Sequence, residues 1–270
     1  MQAISSSTPI QVDCHFHVFM AGVSVPGARY TPAYDASLAA WQSAARPCGV
    51  MHGVLVQPSF LGTDNRLLVE TLLANPEHLR GVAVVAPDAD IHALRPLHDA
   101  GVRAIRLNLA GISHDMSAWQ NRPSLWSALE QLGWHVEIHT DAGALPSVLP
   151  HLPSALPVVL DHMAKPSSMA TDDATIALVA QRARHSPMHI KISGAYRQAL
   201  SNPAALCQRW LDTLGPDALV WGSDWPFTNH EASTHYAQIW QQLGSWLPAQ
   251  TMHRVTCENP ARLYGFAPLP

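Results

Sequence analysis

Eight short apolar runs recur along this chain, separated by stretches of helical character or clusters of turn residues. The runs are "IQVDCH" (10–15), "GVLVQP" (53–58), "GVAVVA" (81–86), "VRAIRLN" (102–108), "WHVEIHT" (134–140), "PVVLDH" (157–162), "MHIKIS" (188–193) and "ALVWGSD" (218–224). Several are almost continuously apolar, which suits strands buried on both faces of a parallel sheet. The helical stretches between them include "NRLLVETLLAN" (65–75), "IHALRPLHDAG" (91–101), "RPSLWSALEQLG" (122–133), "DDATIALVAQRAR" (172–184) and "PAALCQRWLDTLG" (203–215). Gly101, Gly133 and Gly215 fall where a helix end hands over to the next strand. Eight strands alternating with helices in 270 residues predict a single α/β domain over residues 1–270, a (β/α)8 TIM barrel. A doubly wound open sheet shares this local alternation, but no Gly-x-Gly-x-x-Gly follows a strand, so its nucleotide-binding form lacks its main signature. The long irregular insertion Met20 to Tyr34 follows the first run directly, where a barrel carries a loop over its active face.

The chain is 47% hydrophobic and 13% charged, a balance that folds into a sizeable core. A net charge of −4, with 16 Lys+Arg scattered singly, argues against a nucleic-acid surface. Cys14, Cys48, Cys207 and Cys257 lie far apart with no Cys-x-x-Cys pair, as expected of free thiols in a reducing cytoplasm. The N-terminus "MQAISSSTPI" lacks the basic region and apolar stretch of a signal peptide, and no later apolar run is long enough to span a bilayer. A cytoplasmic protein with a small-molecule partner, no membrane and no nucleic acid is the expectation, with oligomeric state left open.

A barrel places its chemistry where strands end, and here those ends are polar. In order they carry His15 and His17, Gln57, Arg106 and Asn108, His139 with Asp141, Asp161 and His162, Lys191 with Ser193, and Asp224. Alternate side chains of an extended strand share a face, so His15 and His17 of "VDCHFHVF" project together while Cys14 and Phe16 project the other way. Singly, each residue has a structural use: the three aspartates are competent helix caps, and a strand-end histidine often serves as a hydrogen-bonded core group. Together, imidazoles and a carboxylate converging from four strands make a nitrogen and oxygen donor set suited to zinc or a similar divalent ion.

The stretches "DCHFHVF", "RYTP", "GVRAIRLN", "VVLDHMAKP", "KISGAYR" and "WGSDWP", in this order over nearly the whole chain, resemble the amidohydrolase superfamily, and within it the branch related to 2-pyrone-4,6-dicarboxylate lactonase. The resemblance implies a (β/α)8 barrel that hydrolyses a lactone ring or a related ester or amide. It implies that His15 and His17 are the first-strand pair, His162 the sixth-strand histidine and Asp224 the last-strand aspartate that activates water. Tyr30, Arg106 and Arg197 match positions that hold a substrate's carboxylates and carbonyl. There are two departures. The branch carries a further arginine shortly after the position of Arg106, where this chain has "NLAGISHD" with Gly111 and Ile112. It also has a tyrosine at the end of the fifth strand and works without a metal, where this chain has His139 in "VEIHTDAG", as in metal-dependent relatives.

The expected reaction is therefore opening of a carboxylate-bearing lactone: 2-pyrone-4,6-dicarboxylate, or a related sugar-acid or muconolactone-type lactone. Asp224 takes a proton from the attacking water, while His15, His17 and His162 stabilise the oxyanion directly or through a metal. Tyr30, Arg106, Arg197 and His139 bind substrate. The cofactor expectation has two branches, no ion or one divalent ion with zinc foremost, and the ligands in the second are His15, His17, His139 and Asp224. A metal-dependent decarboxylase with the same ligands, or a barrel turned binding protein, are the alternatives; product analysis separates the first from a lactonase.

Overall fold

The computed structural model describes residues 10–266. Apart from Ile10, the N-terminal stretch "MQAISSSTPI", read as lacking a signal peptide, lies outside them, as do residues 267–270. Eight parallel strands form one sheet in sequential order: β1 (Val12–Phe16), β2 (His52–Val56), β3 (Leu79–Ala83), β4 (Val102–Asn108), β5 (His135–His139), β6 (Val158–Leu160), β7 (Met188–Ile192) and β8 (Leu219–Trp221). The ring closes just beyond β8. Phe16 pairs with Trp225, His17 N donates to Trp225 O at 2.9 Å, and Asp224 N donates to His15 O at 2.7 Å. Gly222 permits this approach, since a Cβ there would fall 2.5 Å from the Cβ of His15. The fold is the (β/α)8 barrel, and the open-sheet alternative does not apply.

Helices α1 (Leu38–Ala45), α2 (Arg66–Leu73), α3 (Ile91–Asp99), α4 (Pro123–Leu132), α5 (Ala174–Arg182) and α6 (Pro203–Leu214) cover the outside. Their buried residues recur at helical spacing, as with Leu125, Ala128, Leu129 and Leu132 of α4 or Leu206, Cys207 and Trp210 of α6. Between β5 and β6 the chain makes only two short 3₁₀ turns, Leu145–Ser147 and Leu149–His151. Pro146, Pro150, Pro153 and Pro157 account for this, because each removes a backbone donor a longer helix would need. After β8 come α7 (Tyr236–Trp246) and α8 (Ala249–His253), which runs through the π turn Arg254–Glu258 into α9 (Asn259–Tyr264). Among the described residues, no helix is long and apolar enough to cross a membrane, and all four cysteines are free.

Two features of β1 set the geometry at the C-terminal mouth of the barrel. Its register on β2 slips between Asp13 and Phe16. Cys14 consequently packs with Val12, Val54 and Val220, whereas Phe16 stacks on Trp41 of α1 with ring centroids 4.0 Å apart. The expected alternation thus holds for His15, Phe16 and His17 and fails at Cys14, as a bulge requires. Asp13 is fully buried and accepts from Ser223 N (2.8 Å), Ser223 Oγ (2.6 Å), Trp41 Nε1 (3.0 Å), Tyr236 OH (3.0 Å) and His15 N (3.1 Å). One carboxylate so ties β1 to the end of β8 and to helices α1 and α7.

Candidate active site

The floor of the site is a layer of buried charge. Glu137 on β5, Asp161 just after β6, Lys191 on β7 and Arg106 on β4 meet inside the barrel, each nearly or wholly excluded from solvent. Lys191 Nζ donates to Glu137 Oε2 at 2.6 Å and lies 3.1 Å from Asp161 Oδ1 and 3.2 Å from His15 Nδ1. Arg106 Nε donates to Asp161 Oδ2 at 2.9 Å. Two cations offset two carboxylates, the condition under which charge is tolerated in a core. Burial alone would raise Glu137, but Lys191 brings it down to about 2.

The same ammonium fixes the imidazoles. Its hydrogens meet Glu137 Oε2 and His15 Nδ1, and Asp161 Oδ1 stands 3.3 Å from the same imidazole nitrogen. The other ring nitrogen, His15 Nε2, faces His17 Nε2 at 3.3 Å and Asp224 Oδ1 at 3.6 Å. His17 Nδ1 donates to the carbonyl of Val56 at 2.7 Å. Burial draws the pKa of His15 down to about 4, so the ring is neutral at ordinary pH.

Asp224 follows β8 in a left-handed backbone conformation, φ +63°, sparsely populated for a residue with a side chain. Its Oδ2 accepts from Tyr196 OH and from Arg197 Nε, both at 2.6 Å, and Arg197 Nη2 continues to Thr228 O at 3.0 Å. Burial would raise this carboxyl, but the Arg197 guanidinium holds it well below the usual range. Oδ2 is thereby occupied, and Oδ1 is left on the side of the histidine pair, 3.6 Å from His17 Nε2.

A second strained segment lies opposite. His162, Met163, Ala164 and Lys165 all have positive φ, from 42° to 57°. Gln198 Nε2 donates to His162 O at 2.7 Å and Trp210 Nε1 to Met163 O at 2.9 Å, which hold this turn in place. It sets His162 Nδ1 3.0 Å from Ser193 Oγ and Lys165 Nζ 3.0 Å from His139 Nε2. Burial pushes the pKa values of His139 and His162 well below that of free histidine, so both rings are neutral. Lys165 donates to His139 Nε2, which puts the His139 hydrogen on Nδ1, a buried atom without a protein partner among the described residues. The Ser193 hydroxyl finds its nearer acceptor in His162 Nδ1, leaving that ring's hydrogen on Nε2.

These groups surround an open cavity of about 570 Å³ lined by His17, Tyr30, Arg106, His139, His162, Arg197 and Asp224 among others. The expected site residues are thus brought together, with His15 beneath, touching the cavity through His17 and Asp224. Arg197 spends two of its nitrogens on Asp224 and Thr228, a commitment its expected role as a substrate anchor did not include. Of the other polar strand ends, Asp161 and Lys191 belong to the floor. Gln57 donates to the carbonyls of Gly62 and Asp64 and shapes the β2 loop, and Asp141 accepts from Gly111 N. Arg29, Lys165 and Tyr196 are among the lining residues that were not foreseen. Each neighbours a site residue within "RYTP", "HMAKP" or "GAYR", and that adjacency was the only signal available.

His15 Nε2, His17 Nε2 and Asp224 Oδ1 form a triangle with sides of 3.3, 3.6 and 3.6 Å, a spacing that ligands of one zinc share. Charge disagrees with that spacing, since Arg197 already balances Asp224. His139, the expected fourth ligand, does not join the set because the left-handed turn delivers Lys165 onto its Nε2. The further imidazole grouped with His15 and Asp224 is His162. The donor set does not fit a resident cation.

Known proteins with this sequence pattern and fold include lactone hydrolases. The family described as amidohydrolase matches residues 12–266. The chain is 31% identical over 278 residues to a 2-pyrone-4,6-dicarboxylate hydrolase of Comamonas testosteroni, covering 94% of this chain and 89% of that protein. It is 24% identical over 269 residues to a 4-sulfomuconolactone hydrolase of Hydrogenophaga intermedia, covering 94% and 88%. Among solved structures, a probable 2-pyrone-4,6-dicarboxylic acid hydrolase from Acinetobacter baumannii with citric acid bound superposes with a TM-score of 0.85 at 30% identity, over 95% of this chain and 99% of that one.

Proposed function

The chain belongs to the amidohydrolase family, and from that membership we propose that it hydrolyses a carboxylate-bearing lactone of the 2-pyrone-4,6-dicarboxylate or muconolactone type, without a metal ion. The observation that carries this reading is the asymmetry of Asp224: Arg197 and Tyr196 hold Oδ2, while Oδ1 stands beside the His15 and His17 imidazoles at the wall of a cation-lined cavity. A carboxylate so held is rigid, ionised and open on one oxygen, as a base for water must be.

Asp224 Oδ1 takes a proton from water, and the water oxygen adds to the lactone carbonyl carbon. The Nε2 hydrogen of His162 supplies a donor for the oxyanion that forms. Collapse breaks the ring carbon–oxygen bond, and the released oxygen recovers the proton from Asp224, so one water is consumed and the protein is unchanged. Arg106 and Lys165 hold the substrate's carboxylate by charge-assisted hydrogen bonds, and Tyr30 orients the ring from the β1 loop. His15 and His17 act here as a hydrogen-bonded pair that positions Asp224. The four free cysteines suit work in a reducing cytoplasm.

A metal-dependent decarboxylase would require a cation at Asp224, which Arg197 already balances. The test is a pH-indicator assay over a panel of carboxylated lactones, with mass analysis of the product. Ring opening adds one water and releases a proton; loss of carbon dioxide without uptake of water would refute the reading.

A further inference from the structure

Arg29 lies in the β1 loop beside Tyr30 and lines the cavity. Its Nη1 donates to the carbonyl of Ala110, which follows β4. That acceptor is neutral, so the positive charge of Arg29 is held in place without being cancelled. The socket is built to admit it. Gly111 has φ +72°, and a Cβ on it would fall 2.7 Å from Arg29 Nη1. Gly111 N in turn donates to both oxygens of Asp141, each at 3.0 Å, which fixes the β4 loop that receives the guanidinium. Ile112, next in the chain, is 47% exposed, so the position beside the socket offers no charge of its own.

Two loops thus meet at one guanidinium, and a second stands on β4 itself. Arg29, Arg106, Lys165 and Arg197 line the cavity, against Asp224 as its one lining carboxylate among the described residues. Arg197 is paired with that carboxylate and Arg106 is partly engaged by Asp161. A ligand with one acid group leaves the outer cation unused; a ligand with two can meet Arg106 or Lys165 at the inner end and Arg29 at the outer. A guanidinium whose charge is uncompensated at a cavity mouth favours an anionic oxygen through paired N–H donors.

We propose that Arg29 is the anchor for a second anionic group, and that it gives this site preference for lactones carrying two acid groups over those carrying one. The inference rests on the lactonase reading for the reaction, but the binding preference is measurable without turnover. Calorimetric titration of the parent and of Arg29→Met with benzene-1,3-dicarboxylate and with benzoate tests it. The parent should bind the dicarboxylate more tightly, and Arg29→Met should lose at least tenfold for the dicarboxylate while benzoate changes by less than twofold. Arg29→Lys should restore part of the loss, and Gly111→Ala, which displaces the guanidinium, should reproduce Arg29→Met. A parent without preference, or an equal loss for both ligands, overturns the inference. Lactone opening by the parent is scored separately: opening without the dicarboxylate preference sinks the role of Arg29 alone, and preference without opening sinks the reaction alone.

Discussion

Asp224 was legible from "WGSDWP" and His162 from "LDHMAKP", because each places a titratable group at the end of an apolar run. What surrounds them was not. Lys165 and Tyr196 reach the site only through the turns after β6 and β7, and a contact between residues 26 or 28 positions apart has no local trace in sequence. The Lys165–His139 pair carries a prediction. Lys165→Met removes the donor that holds the His139 hydrogen on Nδ1, so the ring becomes free to change tautomer. A charge-assisted bond is worth about 1.5–3 kcal/mol, which corresponds to a loss of roughly tenfold or more in kcat/KM. Lys165→Arg should retain most activity. Nitrogen NMR of the His139 ring should report Nδ1–H in the parent and a mixture in Lys165→Met; an unchanged tautomer would remove Lys165 from this role.

Strand and helix positions were read closely from apolar runs and glycine stops, with α4 at 123–132 inside the expected 122–133 and α6 at 203–214 inside 203–215. The bulge in β1 was not, since it arises from closure of the ring against Gly222 and Asp224, a long-range event. Asp13 is the residue on which that closure turns. Asp13→Asn keeps the shape but forces an amide nitrogen toward donors, with five hydrogen bonds converging on the original carboxylate. Urea unfolding should show a loss of at least about 2 kcal/mol, the scale of a disrupted buried polar network. An unchanged midpoint would mean that the β1–β8 joint is held by apolar packing instead.

Across the whole molecule, several buried histidines are used in their neutral form. Burial lowers His15, His52 and His189 to about 4 from an ordinary value of 6.5. Below pH 6.5 the unfolded chain therefore binds protons that the folded chain refuses, and stability falls as pH drops toward 4. Chemical denaturation should give a lower midpoint at pH 5 than at pH 7.5; equal midpoints would contradict neutral burial. The barrel was legible from the rhythm of the chain, whereas the balance of Glu137 and Asp161 against Lys191 and Arg106 required knowing which strand ends meet inside it. On that charged floor the proposed chemistry turns on Asp224 activating water with no cation to assist. Its most direct test is the rate of opening of 2-pyrone-4,6-dicarboxylate by exhaustively chelated parent and by Asp224→Asn. Full activity in the chelated parent and a ~10²–10⁴-fold loss in the variant are predicted; a parent silenced by chelation and restored by zinc, or a variant that keeps its rate, would contradict it.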